Sequence, residues 1–120
     1  MSENDVTKNC TMYHNPKCSK SRKTLELLKE KGIFPRIILY LESPPSRHDL
    51  SEIISKLEIE AHEILRKKDE KVKNAALNFS DSDVVLDLLQ QEPGVMERPI
   101  VVYGGKAVIA RPPESVWSIL

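Results

Sequence analysis

Tyr13-His14-Asn15-Pro16-Lys17-Cys18-Ser19-Lys20-Ser21-Arg22-Lys23-Thr24-Leu25-Glu26-Leu27-Leu28 is the stretch on which the reading of this chain turns. It follows a short alternating segment, Asn9-Cys10-Thr11-Met12-Tyr13, that reads as a strand. Asn15-Pro16 signals a turn, because proline holds the residue before it out of the helical region. Beyond Cys18 come good helix formers, with Ser21, Leu25 and Leu28 on one stripe and Gly32 placed to end the helix. The order is strand, tight turn, cysteine, helix. A cysteine at a helix start faces unpaired backbone N–H groups and the positive end of the helix dipole, and both favour thiolate over thiol. Lys17, Lys20 and Arg22 add positive charge, and His14 and Ser21 are near enough in sequence to assist. A cysteine can also stand at a helix start as an ordinary small residue. The basic neighbours weigh for a reactive Cys18, since reactive cysteines occupy electropositive, partly exposed sites.

With 120 residues the chain has the size of one domain, able to bury about 65% of the surface its unfolded form exposes. Residues 1–8 are too polar for a signal peptide and read as a flexible N-terminal tail, followed by a single domain over 9–120. The 18 basic and 18 acidic side chains balance, so nothing global points to nucleic acid or to an anionic membrane. The longest apolar run, Ile37 to Leu41, is far short of the roughly 18 residues of a membrane span. Two cysteines on a strand and at the following helix do not look like a disulfide framework, and a reducing, cytoplasmic setting fits them better.

After Gly32, Phe34-Pro35-Arg36-Ile37-Ile38-Leu39-Tyr40 reads as a second strand, completing a βαβ unit with parallel strands and a right-handed crossover. Ser46 and Asp49 resemble a helix N-cap, with Leu50, Ile53, Ile54 and Leu57 as the apolar stripe. A second helical piece is expected around Ala61 to Leu65, ending in Arg66-Lys67-Lys68, and Asp69 to Asn74 is a short helix or an exposed connector. Ser80 or Asp81 starts another helix with Val84, Val85, Leu88 and Leu89 inside, stopped by Pro93-Gly94. Ile100 to Tyr103 and Lys106 to Ala110 form a hairpin across Gly104-Gly105. Pro112-Pro113-Glu114 opens a last helix carrying Val116, Trp117 and Ile119. The order βαβ, helices, ββα is that of an α/β, thioredoxin-like fold with a central mixed four-stranded sheet. Pro99 stands where such folds place a proline, usually cis, opposite the active cysteine.

His14-Asn15-Pro16-Lys17-Cys18-Ser19-Lys20-Ser21-Arg22, then Leu65-Arg66-Lys67, Glu97-Arg98-Pro99-Ile100 and Arg111-Pro112-Pro113-Glu114, resemble the ArsC family of glutaredoxin-linked arsenate reductases. The resemblance implies that Cys18 attacks arsenate, that Arg66, Arg98 and Arg111 hold the oxyanion, and that His14 and Ser21 assist. It also implies that glutathione is the co-substrate and glutaredoxin the partner reductant, with no bound cofactor. The segment Lys17-Cys18-Ser19-Lys20 departs from the family pattern, in which the best-studied members carry small residues around the cysteine.

The residues themselves suit that chemistry. Guanidinium groups stay charged and present paired donors to a tetrahedral oxyanion. Ser21 occupies the position three after Cys18, so there is no Cys-x-x-Cys partner, and Cys10 reads as core; an external thiol is implied. Each basic residue has a plainer reading too: Arg66 as a solvated helix end, Arg98 and Arg111 as surface charges beside proline, His14 as a turn histidine. His48 and His62 read as surface residues, and the cysteines and histidines lack metal-ligand spacing. No Gly-rich phosphate loop is present, and Arg22 follows Cys18 by four positions, which excludes a phosphatase-type Cys-x5-Arg loop. Two alternatives remain: a monothiol glutaredoxin-like thiol-disulfide oxidoreductase, and an Spx-like redox regulator of RNA polymerase. Ser21 counts against the second, which senses through Cys-x-x-Cys, and the three arginines count against the first.

Overall fold

The alternation of side chains along the first strand decides how the layers form. In β1 (Cys10–Tyr13), Cys10 and Met12 face one side of the sheet and Tyr13 the other, and all three are buried. The computed structural model describes residues 7–75 and 77–120. Strand β1 pairs in parallel with β2 (Arg36–Ile38) and antiparallel with β3 (Ile100–Tyr103), which pairs antiparallel with β4 (Lys106–Ile109). The sheet order is β2-β1-β3-β4, the mixed four-stranded sheet of a thioredoxin-like fold.

One face carries Cys10, Met12 and Val101 against Leu28 and Val116. The other carries Tyr13 and Ile100 against Leu50, Ile53, Val85 and Leu89. Helix α1 (Ser19–Glu30) covers the first face, and α2 (Arg47–Leu57) and α4 (Ser82–Gln91) the second. Gly32 ends α1 at φ +74°, where its N–H donates to the Lys29 carbonyl and that of Ile33 to the Leu28 carbonyl. This left-handed cap suits a residue without a Cβ. The Ser46–Asp49 pair closes a reciprocal capping box at the start of α2. Asp81, rather than Ser80, caps α4 by accepting from the Asp83 N–H at 2.9 Å. A single turn, α3 (Glu70–Lys73), settles the open reading of 69–74. No helix among the described residues is long and apolar enough to cross a membrane.

Three expectations need correction. The piece at Ala61–Ile64 is a 3-10 turn, after which the chain is extended: Leu65 bridges Met96, so Arg66 does not end a helix. The last element, Pro113–Ile119, is also a 3-10 helix. Its inward residues Pro113, Val116 and Ile119 recur every third position, which matches three residues per turn and leaves Trp117 outside, 38% exposed. Thr7, assigned above to the flexible tail, is tied down: its N–H donates to the Phe34 carbonyl and its hydroxyl accepts from the Phe34 N–H, both at 2.7 Å. Lys8 lies in the turn that leads into β1, and residues 1–6 of that tail lie outside the described residues.

Candidate active site

The turn between β1 and α1 is built from backbone donors. The N–H of Cys18 donates to the Asn15 carbonyl at 3.0 Å, and the Asn15 side chain accepts from the Lys17 N–H at 3.0 Å. Arg22 N–H then donates to the Cys18 carbonyl at 3.0 Å, the first bond of the helix, with Cys18 extended as its N-cap. The Cys18 side chain closes no capping hydrogen bond of normal geometry. The first-turn amides of Ser21 and Lys20 nevertheless face its sulfur, as does the Arg98 side chain. Burial pushes the thiol up. The Ser21 amide, the Arg98 side chain, the Lys20 amide and the Arg98 charge outweigh that, and the Cys18 pKa lies below the ordinary thiol value.

Cys10 shows what burial does alone. It is 2% exposed on the other end of β1, and its thiol is pushed up to about 11.

His14 and Ser21 meet in the turn. The Ser21 Oγ lies 2.6 Å from His14 Nδ1 and accepts from the Asn15 N–H at 3.1 Å. Ser21 is fully buried and His14 is 6% exposed. Burial, and then the charge of Lys29, lower the His14 pKa, so its imidazole is neutral at pH 7. The serine hydroxyl is therefore engaged with His14 and Asn15, while its backbone amide is what faces the sulfur.

Three pairings bring the arginines to this end. Tyr13 opposite Ile100 sets Arg98, at a cis bond to Pro99, beside the cysteine turn. Ile100 opposite Ile109, with the Ala110 N–H on the Pro99 carbonyl at 2.9 Å, sets Arg111 beside Arg98. Arg111 Nη1 donates to the Arg98 carbonyl at 3.1 Å. The extended bridge of Leu65 to Met96 supplies Arg66: its N–H donates to the Val95 carbonyl, and the Glu97 N–H to the Ile64 carbonyl, each at 2.7 Å. Arg66 makes a long, partly buried contact to Asp69 at 3.5 Å. Among the described residues the buried Nε of Arg98 has no hydrogen-bond partner, which leaves a donor free for an acceptor from outside that set.

Residues outside the sequence-based set also belong here. Tyr40 is 1% exposed; burial raises its hydroxyl pKa, and the charges of Arg98, Cys18 and Arg66 all act on it. An aromatic residue at a strand end reads as core, so nothing in sequence marked it. Beside the arginines opens a pocket of about 540 Å³ lined by Arg66, Arg111, Lys67 and Lys68 with Glu63 and Glu97. His48 pairs with Glu52 on an exposed face, and His62 lies in the 3-10 turn; neither is brought to Cys18 by these pairings. Among the described residues no group of three or more histidine, cysteine, aspartate or glutamate side chains could hold a metal ion.

Known proteins share the sequence and the fold of this chain over most of its length. Uncharacterized protein YfgD of Escherichia coli is 44% identical over 120 residues, covering 96% of this chain and 99% of that one. An arsenate reductase of Haemophilus influenzae is 45% identical over 114 residues, covering 91% and 97%. The solved structure of an arsenate reductase from Vibrio cholerae superposes with a TM-score of 0.84 at 40% identity, over 92% of this chain and 97% of that one. The model of the ArsC family matches residues 13–119, from the last residue of β1 to the end of the final 3-10 helix. The chain belongs to the ArsC family.

Proposed function

We propose that this protein is an arsenate reductase in which Cys18 is the nucleophile and Arg66, Arg98 and Arg111 hold the oxyanion. The observation that carries the reading is the Cys18 sulfur at the start of α1, lowered in pKa by first-turn amides and by the Arg98 side chain. A thiolate at this place attacks arsenic and displaces one oxygen as water, forming a sulfur–arsenic(V) bond. Guanidinium donors suit the doubly charged substrate and the charge that develops as oxygen leaves. The unpartnered Arg98 Nε supplies one such donor. Neutral His14 and the Ser21 hydroxyl assist by stabilising the turn through their hydrogen bonds, while the Ser21 and Lys20 amides act on the sulfur directly.

A second thiol then bonds to the Cys18 sulfur, and the electron pair of the sulfur–arsenic bond remains on arsenic, which leaves as arsenite. A further thiol opens the resulting disulfide and restores Cys18. Glutathione and glutaredoxin fill these parts in our reading, in keeping with the family resemblance and with a reducing, cytoplasmic setting. Haemophilus and Vibrio relatives named arsenate reductase support the choice of substrate.

The test is arsenate-dependent oxidation of NADPH, coupled through glutathione reductase, glutathione and glutaredoxin, run beside hydroxyethyl disulfide as an alternative substrate. Arsenate turnover that vanishes in Cys18→Ser is expected. Turnover of the disulfide without any of arsenate would replace this reading with a glutaredoxin-like oxidoreductase.

A further inference from the structure

Tyr40 is fully buried between half-buried Leu39 and exposed Leu41. The strand ladder carries it to the cysteine turn. Thr11, Met12 and Tyr13 stand opposite Arg36, Ile37 and Ile38, and the His14 N–H donates to the Ile38 carbonyl at 2.9 Å. The register thus runs on past both strands, and the next pair on the face of Tyr13 and Ile38 is Asn15 with Tyr40. A turn closes directly behind it, where the Leu39 carbonyl accepts from the Glu42 and Ser43 N–H groups at 2.9 and 2.8 Å. By the same count across β3 and β4, Arg98 falls on the other side of Asn15 and Arg111 beyond it. Arg111 closes that step by donating to the Arg98 carbonyl. Tyr40, Asn15, Arg98 and Arg111 therefore form one row across the end of the sheet that bears Cys18.

Asn15 is committed at every atom but one. Its carbonyl accepts from the Cys18 N–H, and its own N–H donates to Ser21 Oγ. Its side-chain oxygen accepts from the Lys17 N–H at 3.0 Å. Only the oxygen of a carboxamide can accept, so its NH2 is the end left over. That group faces the Tyr40 hydroxyl. A phenol oxygen approached by a donor still has its own proton to give, and among the described residues no acceptor takes it. Burial holds that proton on the oxygen at neutral pH. A tyrosine kept for packing alone would have no need of the hydroxyl.

We propose that the Tyr40 hydroxyl is a further donor to the oxyanion held beside Cys18, a neutral one that the row sets across from the arginines and that Asn15 aims. The proposal rests on the reading of the three arginines as an oxyanion site.

Protection of Cys18 by inorganic phosphate, a tetrahedral oxyanion that forms no adduct with the thiolate, tests this without turnover. Alkylation of Cys18 by iodoacetamide is followed by peptide mass spectrometry across phosphate concentrations. The proteins compared are the wild type and Tyr40→Phe, which keeps the ring and removes the hydroxyl alone. The variant is expected to need about ten-fold more phosphate for half protection, as the loss of one hydrogen bond to a charged group would require. Its alkylation without phosphate is expected to match wild type at every pH. Equal phosphate requirements in the two proteins would overturn the proposal. So would a shifted alkylation midpoint in the absence of phosphate, because the hydroxyl would then act on the sulfur or the turn. Phosphate that never protects the wild-type protein would remove the arginine site and this donor with it. Protection that weakens as stated, in a protein that never turns over arsenate, would keep Tyr40 in an oxyanion site and remove arsenate as its substrate.

Discussion

Cys10 and Cys18 bracket the same short stretch of chain, one in a strand and one at the helix that follows, and the fold gives them opposite chemistry. Burial raises both thiols. At Cys10 nothing offsets it, and the pKa reaches about 11. At Cys18 the amides of Ser21 and Lys20 and the side chain of Arg98 more than offset it. What separates a core cysteine from a nucleophile here is therefore the set of donors aimed at the sulfur. Exposure matters less, for Cys18 is itself only partly exposed.

The contrast can be broken by substitution. Cys18→Ser is expected to abolish arsenate turnover, whereas Cys10→Ser keeps it and costs about 1–3 kcal/mol of stability by leaving a hydroxyl in an apolar cluster. Denaturant unfolding and the coupled assay read the two effects. Arg98→Ala follows, with a loss of about 10²–10³ in kcat and a Cys18 pKa that moves up, since the side chain favours the thiolate. Arg98→Lys should recover part of this, because lysine keeps the charge without the planar fork. Arg66→Ala and Arg111→Ala should weaken arsenate binding about ten-fold each while leaving the alkylation rate of Cys18 near wild type. Smallest of all is Ser21→Ala. It removes the partner of His14 and Asn15, so about 1 kcal/mol of stability is expected to go. Its amide still faces Cys18, so the alkylation midpoint should scarcely move.

Much of this was legible in the sequence because the signals are local. Gly32, the Ser46–Asp49 box, the Gly104-Gly105 hairpin and the position of Pro99 each announce themselves within a few residues. The turn and helix start at Cys18 were legible for the same reason, being contiguous, but the charge that acts on its sulfur comes from distant Arg98 rather than from the basic neighbours Lys17, Lys20 and Arg22. The 3-10 helices were harder, since Pro113, Val116 and Ile119 suit either helix type until Trp117 is seen to lie outside. The bridge of Leu65 to Met96 joins segments about thirty residues apart, and no local pattern encodes it. The same bridge brings Lys67, Lys68 and Glu97 around one pocket, so that pocket was hidden from sequence although its residues were in view.

Alkylation by iodoacetamide across pH, with both cysteines followed separately by peptide mass spectrometry, tests the central claim most directly. A depressed pKa means that Cys18 is already thiolate below the pH at which a free thiol ionises, so its rate should rise through a midpoint below that of a free thiol measured alongside. Cys10 should stay unreactive in the folded protein until pH approaches about 11. Equal midpoints for the two cysteines, or a Cys18 midpoint at or above the free-thiol value, would contradict the account.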